Sequence, residues 1–285
     1  YFFSALANPA EVDTFRLRMH INFIFYILLI LSTYFLGKKC FDGRTGLIAA
    51  FLISFYPAVY AFSRQFGLDF PLLCLAAVCV CLLVYSEGFS KRGYSLLFGL
   101  SLGIATLVKL QIMFFLLVPL TFAIFSVFAK EDNKKLYALA NLILSFTLTT
   151  TLFSLYWGNK LGPIFSNFFE HVFSLYPFYT DRIIPVLGTE IHIFSLRNFI
   201  FYLESLLFHV SLYPFILFIF ALLVFSSRKN KWRAFYLLSL LVPYLILTFI
   251  SVKWTRYALP LLFFIAIISA HLIASLRSKY VRLAI

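Results

Sequence analysis

Arg64 and Asp69 stand five residues apart in "FSRQFGLDFPLL", between two long apolar runs. Lys109 interrupts a third such stretch at "LVKLQ", and Lys253 and Arg256 share the segment "SVKWTRYALP". An ionisable side chain at the centre of a lipid-embedded helix costs about 2.5–3.5 kcal/mol on insertion scales, and less near the interface, so such groups tend to be kept for a purpose. The chemistry these residues suit is the binding of a phosphate, its oxygens held by charge-assisted hydrogen bonds from Arg as a planar fork and from Lys as a point charge. Two simpler roles compete. Lys and Arg at helix ends reach the headgroups unaided, and Asp69, opening an apolar run with Pro71 behind it, has the residue type of a helix N-cap. Company argues for more, because an acid placed beside several cations fits an anionic lipid phosphate together with the sugar it carries.

The rest of the sequence says what must position these groups. The chain has 285 residues, 62% hydrophobic, 20% aromatic and 12% charged, with a mean hydropathy of +0.95. Soluble domains do not have that composition, and a polytopic membrane protein does. The fold class expected is all-α, a transmembrane helical bundle. Its net charge of +13 is then a matter of membrane topology, and no soluble basic face is left to bind nucleic acid. Cys40, Cys74, Cys79 and Cys81 have neither a zinc spacing nor a loop setting for a disulfide and read as packing residues. The sequence opens at Tyr1 with no Met and no charged leader, which predicts a piece of a longer protein with at least one span upstream.

A span needs roughly 20 apolar residues, with about 17 as a working minimum. Nine segments approach that length: 20–36, 45–62, 69–85, 93–108, 110–129, 136–157, 199–226, 234–250 and 256–276. The stretch 93–129 is too long for one span and barely enough for two. The positive-inside rule decides it. With a turn at Lys109, alternate loops and the C-terminal tail collect 15 of the 24 Lys and Arg residues, which places those loops in the cytoplasm and the start of the chain outside. Arg16, Arg64, Asp69, Lys109, Lys253 and Arg256 then all belong to the outer side, the last five at helix ends of one depth.

The division expected along the chain is a first membrane part over 1–157, an outer loop over 158–198 and a C-terminal membrane part with a basic tail over 199–285. The outer loop is rich in aromatics, Pro and Gly, and interfacial helices are expected in it. The run 199–226 is overlong for a span and holds Glu204, His209 and Pro214, so its first half is a further interfacial candidate. Glu170, His171, Asp181, Glu190 and His192 could gather around a divalent metal ion in that outer loop, although the five histidines of the chain make no metal spacing and no cofactor is called for. Neither a phosphate-cradling glycine loop nor a Ser-His-Asp arrangement is present, so direct use of a nucleotide is not expected.

Taken in order, "GRTGLIAAFLISFYPAVYAFSRQFGLDFPLLCLAAV", "GLSLGIATLVKLQIMFFLLVPL" and "KWTRYALPLLFFIAII" resemble the multi-span core of the C-type (GT-C) glycosyltransferases. Family 39-like enzymes are the group meant, which include protein O-mannosyltransferases and the aminoarabinose transferases that modify lipid A. The resemblance covers roughly residues 16–275. It implies transfer of one sugar, a hexose or a pentose, from a polyprenyl-phosphate donor to a lipid, glycan or protein acceptor on the extracytoplasmic face, in the plasma (inner) membrane. It also implies carrier-phosphate and sugar binding for Ser63, Arg64 and Asp69, for Gly103, Leu107 and Lys109, and for Arg256, Tyr257 and Pro260, with Arg16 matching the Arg that opens the span after the first outer loop.

In that family the main catalytic acid lies in the first outer loop, just after the first span, and the resemblance therefore puts it upstream of Tyr1. Glu11 and Asp13 are the acids left in that loop and, with Asp69, are the candidates this sequence offers. Two other classes compete. A transporter or flippase would place its polar groups near mid-membrane, often on repeated halves, whereas these charges lie toward one face and no repeat is evident. A non-catalytic membrane subunit of polysaccharide assembly would share the lipid-phosphate chemistry.

Overall fold

A computed structural model describes residues 14–65, 67–158, 183–186, 189–192, 195–227, 230, 232–250 and 253–283. Its helices are α1 Thr14–Cys40, α2 Gly43–Phe55, α3 Pro57–Ser63, α4 Asp69–Tyr85, α5 Arg92–Val108, α6 Ile112–Phe128, α7 Asp132–Trp157, α8 Leu196–Val210, α9 Leu212–Ser227, α10 Arg233–Phe249 and α11 Leu262–Leu283, with a 3-10 helix over Thr255–Leu261. The turn expected at Lys109 is present. α5 stops at Val108, and α6 begins at Ile112.

Each of the nine expected spans corresponds to a described helix or helix pair. Three of these are long and apolar enough to cross a membrane alone, a bent pair makes a fourth, and five more are apolar helices of 10–17 residues. Seventeen residues of helix reach about 25 Å, slightly less than the hydrocarbon layer of about 30 Å. The second span is the bent one: α2 and α3 meet at 60°. Pro57 opens α3, and a proline favours extended backbone in the residue before it, here Tyr56 at ψ 127°, so the helix breaks there. The run 199–226 also divides, at Ser211 with φ 71°. The part before the break, α8, buries Asn198, Phe201, Tyr202, Ser205, Leu206, His209 and Val210, a one-sided helical stripe. Its opposite face exposes Leu196 and Phe208.

One feature departs from the expected interfacial helices of the outer loop. Ile183–Val186 and Thr189–His192 are strands β1 and β2, antiparallel, with Ile184 opposite Ile191. β-Branched residues in both segments favour extended backbone. Residues 159–182 lie outside the described residues.

The centre of the bundle is α4, in which thirteen of seventeen residues are buried. It packs against α1, α5, α6 and the 3-10 helix. A helix buried on all sides needs no polar face, which explains its continuous run "FPLLCLAAVCVCLL". Cys74, Cys79 and Cys81 lie in that interior as free thiols. α11 is the second buried helix, its residues from Leu262 to Ala270 almost wholly enclosed between α2, α9 and α10.

Helices α5 and α7 pack through small residues, as membrane helices do where backbones approach closely. A Cβ on Gly99 would fall 2.4 Å from the Ser145 carbonyl oxygen. Ser145 Oγ donates to Ser95 O at 2.7 Å, and Thr149 Oγ1 donates to Gly99 O at 2.9 Å.

The two ends of the bundle differ. At one end the turn after α4 places Glu87, Gly88 and Phe89 in the left-handed region, at φ 52°, 64° and 60°. For each of the two non-glycine residues that costs about 1–2 kcal/mol. The turn is held from several sides. Lys130 Nζ donates to Glu87 O, Gly88 O and Ser90 Oγ, Asn141 Nδ2 donates to Phe89 O at 2.9 Å, and the buried Phe89 ring meets Phe98 edge-on. Glu87 also accepts from Lys39 at 2.7 Å and Lys91 at 2.9 Å. These hydrogen bonds hold its carboxyl below the usual carboxylate range. The loops that the charge pattern groups on one side thus meet at one end.

Candidate functional site

The opposite end carries the site. It is built from three turns: α3 to α4, α5 to α6, and α10 to the 3-10 helix. Asp69 is the first residue of α4 rather than its cap. The N-cap position belongs to Leu68 and has no side-chain cap, which corrects the capping explanation of Asp69. Its carboxylate is committed elsewhere. Lys109 Nζ donates to Asp69 Oδ1 at 2.7 Å, and Arg256 Nε lies 3.3 Å from Asp69 Oδ2. The second contact is an ion pair without hydrogen-bond geometry, since among the described residues Nε has no hydrogen-bond partner. The positive end of the α4 dipole also favours a carboxylate at this position.

Burial is graded across the cluster. The Asp69 side chain is 9% exposed, Lys109 24% and Arg256 43%. One buried carboxylate therefore fixes two cations whose outer sides reach solvent. The net charge of the three is positive, so an anion can bind without displacing the acid. Aromatic rings fix the cations further: Lys109 Nζ lies 4.6 Å from the Tyr257 ring centre, and Arg256 Cζ lies 4.6 Å from that of Trp254.

The other expected site residues take different positions. Arg64 ends α3 and is exposed. Its guanidinium lies over the Tyr60 ring at 4.2 Å, and among the described residues it has no ion pair with Asp69. Asp69 therefore holds Lys109 and Arg256, and not its sequence neighbour Arg64. Lys253 is turned inward. It is 8% exposed and donates to Leu247 O at 2.8 Å and to Thr248 O, with Tyr202 beneath its ammonium at 5.3 Å. Lys253 thus satisfies carbonyls at the C-terminal end of α10 that the helix leaves without partners. Burial pushes its ammonium down to about 7. Arg16 falls in the first turns of α1. Glu11, Asp13, Glu170, His171 and Asp181 lie outside the described residues, and among the described residues no group of three His, Cys, Asp or Glu side chains could hold a metal ion.

Two supporting residues escaped the sequence reading. Asn22 of α1 donates to Ser63 O at 2.9 Å and Gln65 O at 3.0 Å, tying down the turn that leads to Asp69. Asn198 of α8 donates to Thr248 O at 3.0 Å, the carbonyl that Lys253 also uses, and so joins α8 to the turn bearing Arg256. Lone asparagines in apolar runs were the available signal, since buried polar groups in a bundle are paired with something.

The fold and this end of the bundle define a polytopic helical membrane protein with a cation pair anchored on a buried acid. The family model for dolichyl-phosphate-mannose-protein mannosyltransferase matches residues 11–157, about half of the chain, and the chain belongs to that family. No curated protein gives a significant sequence match. Among solved structures the fold is similar to ArnT from Cupriavidus metallidurans bound to undecaprenyl phosphate, with TM-score 0.63 and 14% identity over 90% of this chain and 45% of that one. The apo form of the same protein gives 0.59 and 13% over 90% and 44%. The archaeal oligosaccharyltransferase AglB from Archaeoglobus fulgidus, in complex with an inhibitory peptide and a dolichol-phosphate, gives 0.50 and 14% over 92% and 39%. The chain therefore spans less than half the length of the solved proteins it resembles, and its fold is of the GT-C type.

Proposed function

We propose that the protein is a membrane glycosyltransferase that takes one sugar from a polyprenyl-phosphate donor and passes it to a lipid, glycan or protein acceptor on the extracytoplasmic face. The observation that carries this reading is the Asp69–Lys109–Arg256 cluster, at the bundle end opposite the cation-rich loops. Family membership and the lipid phosphates named with ArnT and AglB support a polyprenyl-phosphate substrate.

In this reading Lys109 and Arg256 hold the carrier phosphate. As the acceptor hydroxyl or amine attacks the anomeric carbon, the bond from that carbon to the phosphate oxygen breaks, and negative charge grows on the bridging oxygen. Fixed cations aimed at developing charge are the effective form of such stabilisation. Asp69 is a positioning residue, since its carboxylate is already shared between the two cations. Arg64, exposed and stacked on Tyr60, suits the outer side of the phosphate or the sugar, whereas Lys253 supports the turn from inside. The base that accepts the acceptor's proton is assigned to an acid of the first outer loop.

The test is transfer of a radiolabelled sugar from polyprenyl-phosphate donors to membrane acceptors, by the longest natural form of the protein in nanodiscs, with the 285-residue chain assayed beside it. Transfer that falls by about 10²-fold or more in Lys109→Ala and in Arg256→Ala supports the cradle. Unchanged turnover in both variants overturns it. No donor consumption by the longest form shifts the reading to a transporter or an accessory subunit.

A further inference from the structure

The bundle end opposite the Asp69 cluster holds a cavity of about 460 Å³ between the ends of α4, α6 and α10. Its deeper wall is apolar, formed by Pro119, Phe122 and Ala123 of α6 and Phe235 of α10. Its mouth is polar, formed by Lys39, Glu87, Gly88 and Ser126. From Pro119 to Ser126 is two helical turns, about 10 Å, so the cavity runs from the end of the bundle to roughly that depth. Nothing in the transfer reaction proposed above uses it.

The mouth is a rigid, cationic structure. Its backbone is the left-handed run Glu87-Gly88-Phe89, and a Cβ on Gly88 would fall 2.0 Å from Ser126 Oγ, so any larger residue there has to displace that hydroxyl. Strained backbone survives where its surroundings over-determine it, and such places often serve a function. The bonds that fix the turn also bring lysines around it. Lys39 and Lys91 share the Glu87 carboxylate, and Lys130 binds the turn's carbonyls. Lys39 and Glu87 line the opening, and Lys91 and Lys130, which hold the same turn, bring the charge of the turn and its lysines to a net of two positive.

We infer that this cavity is a binding site for an anionic glycerophospholipid, whose phosphate meets Lys39 at the mouth, with the positive charge of Lys91 and Lys130 close by across the Glu87 turn, and whose acyl chain enters along Phe122 and Phe235. Charge complementarity selects the headgroup, since Lys and Arg near a membrane surface attract anionic lipid. The apolar wall selects a lipid over a soluble phosphate, because a free anion would leave that surface unfilled. This site is separate from the Asp69 cluster in both residues and position, so its test does not depend on transferase activity.

The experiment compares the protein in phosphatidylglycerol and phosphatidylcholine nanodiscs, by thermal unfolding and by native mass spectrometry of retained lipid. Expected are a Tm at least about 3 °C higher in phosphatidylglycerol and retention of phosphatidylglycerol in preference to phosphatidylcholine. The Lys39→Met, Lys130→Met double variant should lose both effects. Ala123→Leu, which fills the slot without touching a charge, should lose lipid retention while its Tm in phosphatidylcholine stays at the parent value, and it serves as the control should the double variant fail to fold. Equal Tm and retention in the two lipids overturn the proposal. So does a preference that survives Ala123→Leu, or a Tm shift of the same size produced by soluble glycerophosphate.

Discussion

Lys109 Nζ lies 2.7 Å from Asp69 Oδ1 across 40 residues of sequence. The bond joins the start of the most buried helix to the turn between α5 and α6. Because Arg256 approaches the second oxygen, the three residues form one electrostatic unit, and removing the central acid leaves two cations facing each other. Asp69→Asn is expected to destabilise the protein by about 3 kcal/mol, the range for breaking a largely buried ion pair from one side. Asp69→Leu combined with Lys109→Met should cost less than the sum of the single changes. A double-mutant cycle read by thermal unfolding in detergent measures the difference, and strict additivity would show that the pair is not coupled.

Arg256 and Arg64 are predicted to differ in activity assays although each carries one positive charge that reaches solvent. Arg256 is held by Asp69 and stacked on Trp254, so Arg256→Lys loses the planar fork and the stacking together and should restore little of the activity lost in Arg256→Ala. Arg64 also lies over an aromatic ring, Tyr60, but among the described residues it has no carboxylate partner whose geometry a lysine would change, so Arg64→Lys should restore more of what Arg64→Ala loses. Steady-state kinetics of sugar transfer decide this, and equal rescue at the two positions would remove the distinction.

Lys253 gives a pH dependence of defined sign. Its ammonium titrates near 7 in the folded protein, against an ordinary value of 10.5, because burial disfavours the charge. Between those values the unfolded chain binds the proton that the folded chain has released, so this residue's contribution to stability rises with pH from about 7 to about 10. In Lys253→Met that contribution is absent. Subtracting the unfolding free energy of the variant from that of the parent across this window should give a difference that climbs with pH, and a flat difference would exclude a depressed lysine.

The α5–α7 contact separates two glycines one helical turn apart. A methyl on Gly99 meets the Ser145 backbone oxygen at 2.4 Å, whereas one on Gly103 meets the Leu152 side chain first, at 2.7 Å from Cδ1. Backbone cannot give way as a leucine tip can. Gly99→Ala is expected to cost about 2 kcal/mol by overpacking and Gly103→Ala distinctly less, measurable as the order of their Tm values in one detergent.

The helical architecture was legible because apolar length and the placement of Lys and Arg are local properties of the sequence. The turn at Lys109 followed from charge alternation, and the structure places it between α5 and α6. One break was harder to see: Pro57 splits a segment whose composition is continuous. The division of 199–226 was announced by its length and by Glu204, His209 and Pro214, and the structure puts it at Ser211. Within the site, Asp69, Lys109 and Arg256 were recognisable by being charges in apolar surroundings, but their pairing depends on which helix ends become neighbours, and that is set by packing around α4. Lys253 shows the limit most clearly. Its residue type and spacing match those of Arg256, yet it points inward at carbonyls that no sequence pattern reveals.

The 60° bend between α2 and α3 gives this span a way to adapt that a straight helix lacks. A rigid helix answers a change in bilayer thickness by tilting or by distorting the lipid around it. A broken one can open or close its angle, which raises or lowers its far end. That far end carries Arg64, while Asp69, Lys109 and Arg256 hold one another in place. Asn22 ties that end to α1 on both sides of Arg64, so a change in hydrocarbon thickness reaches Arg64 only together with the first helix, and membrane thickness is coupled to the position of a whole helix pair rather than of one side chain.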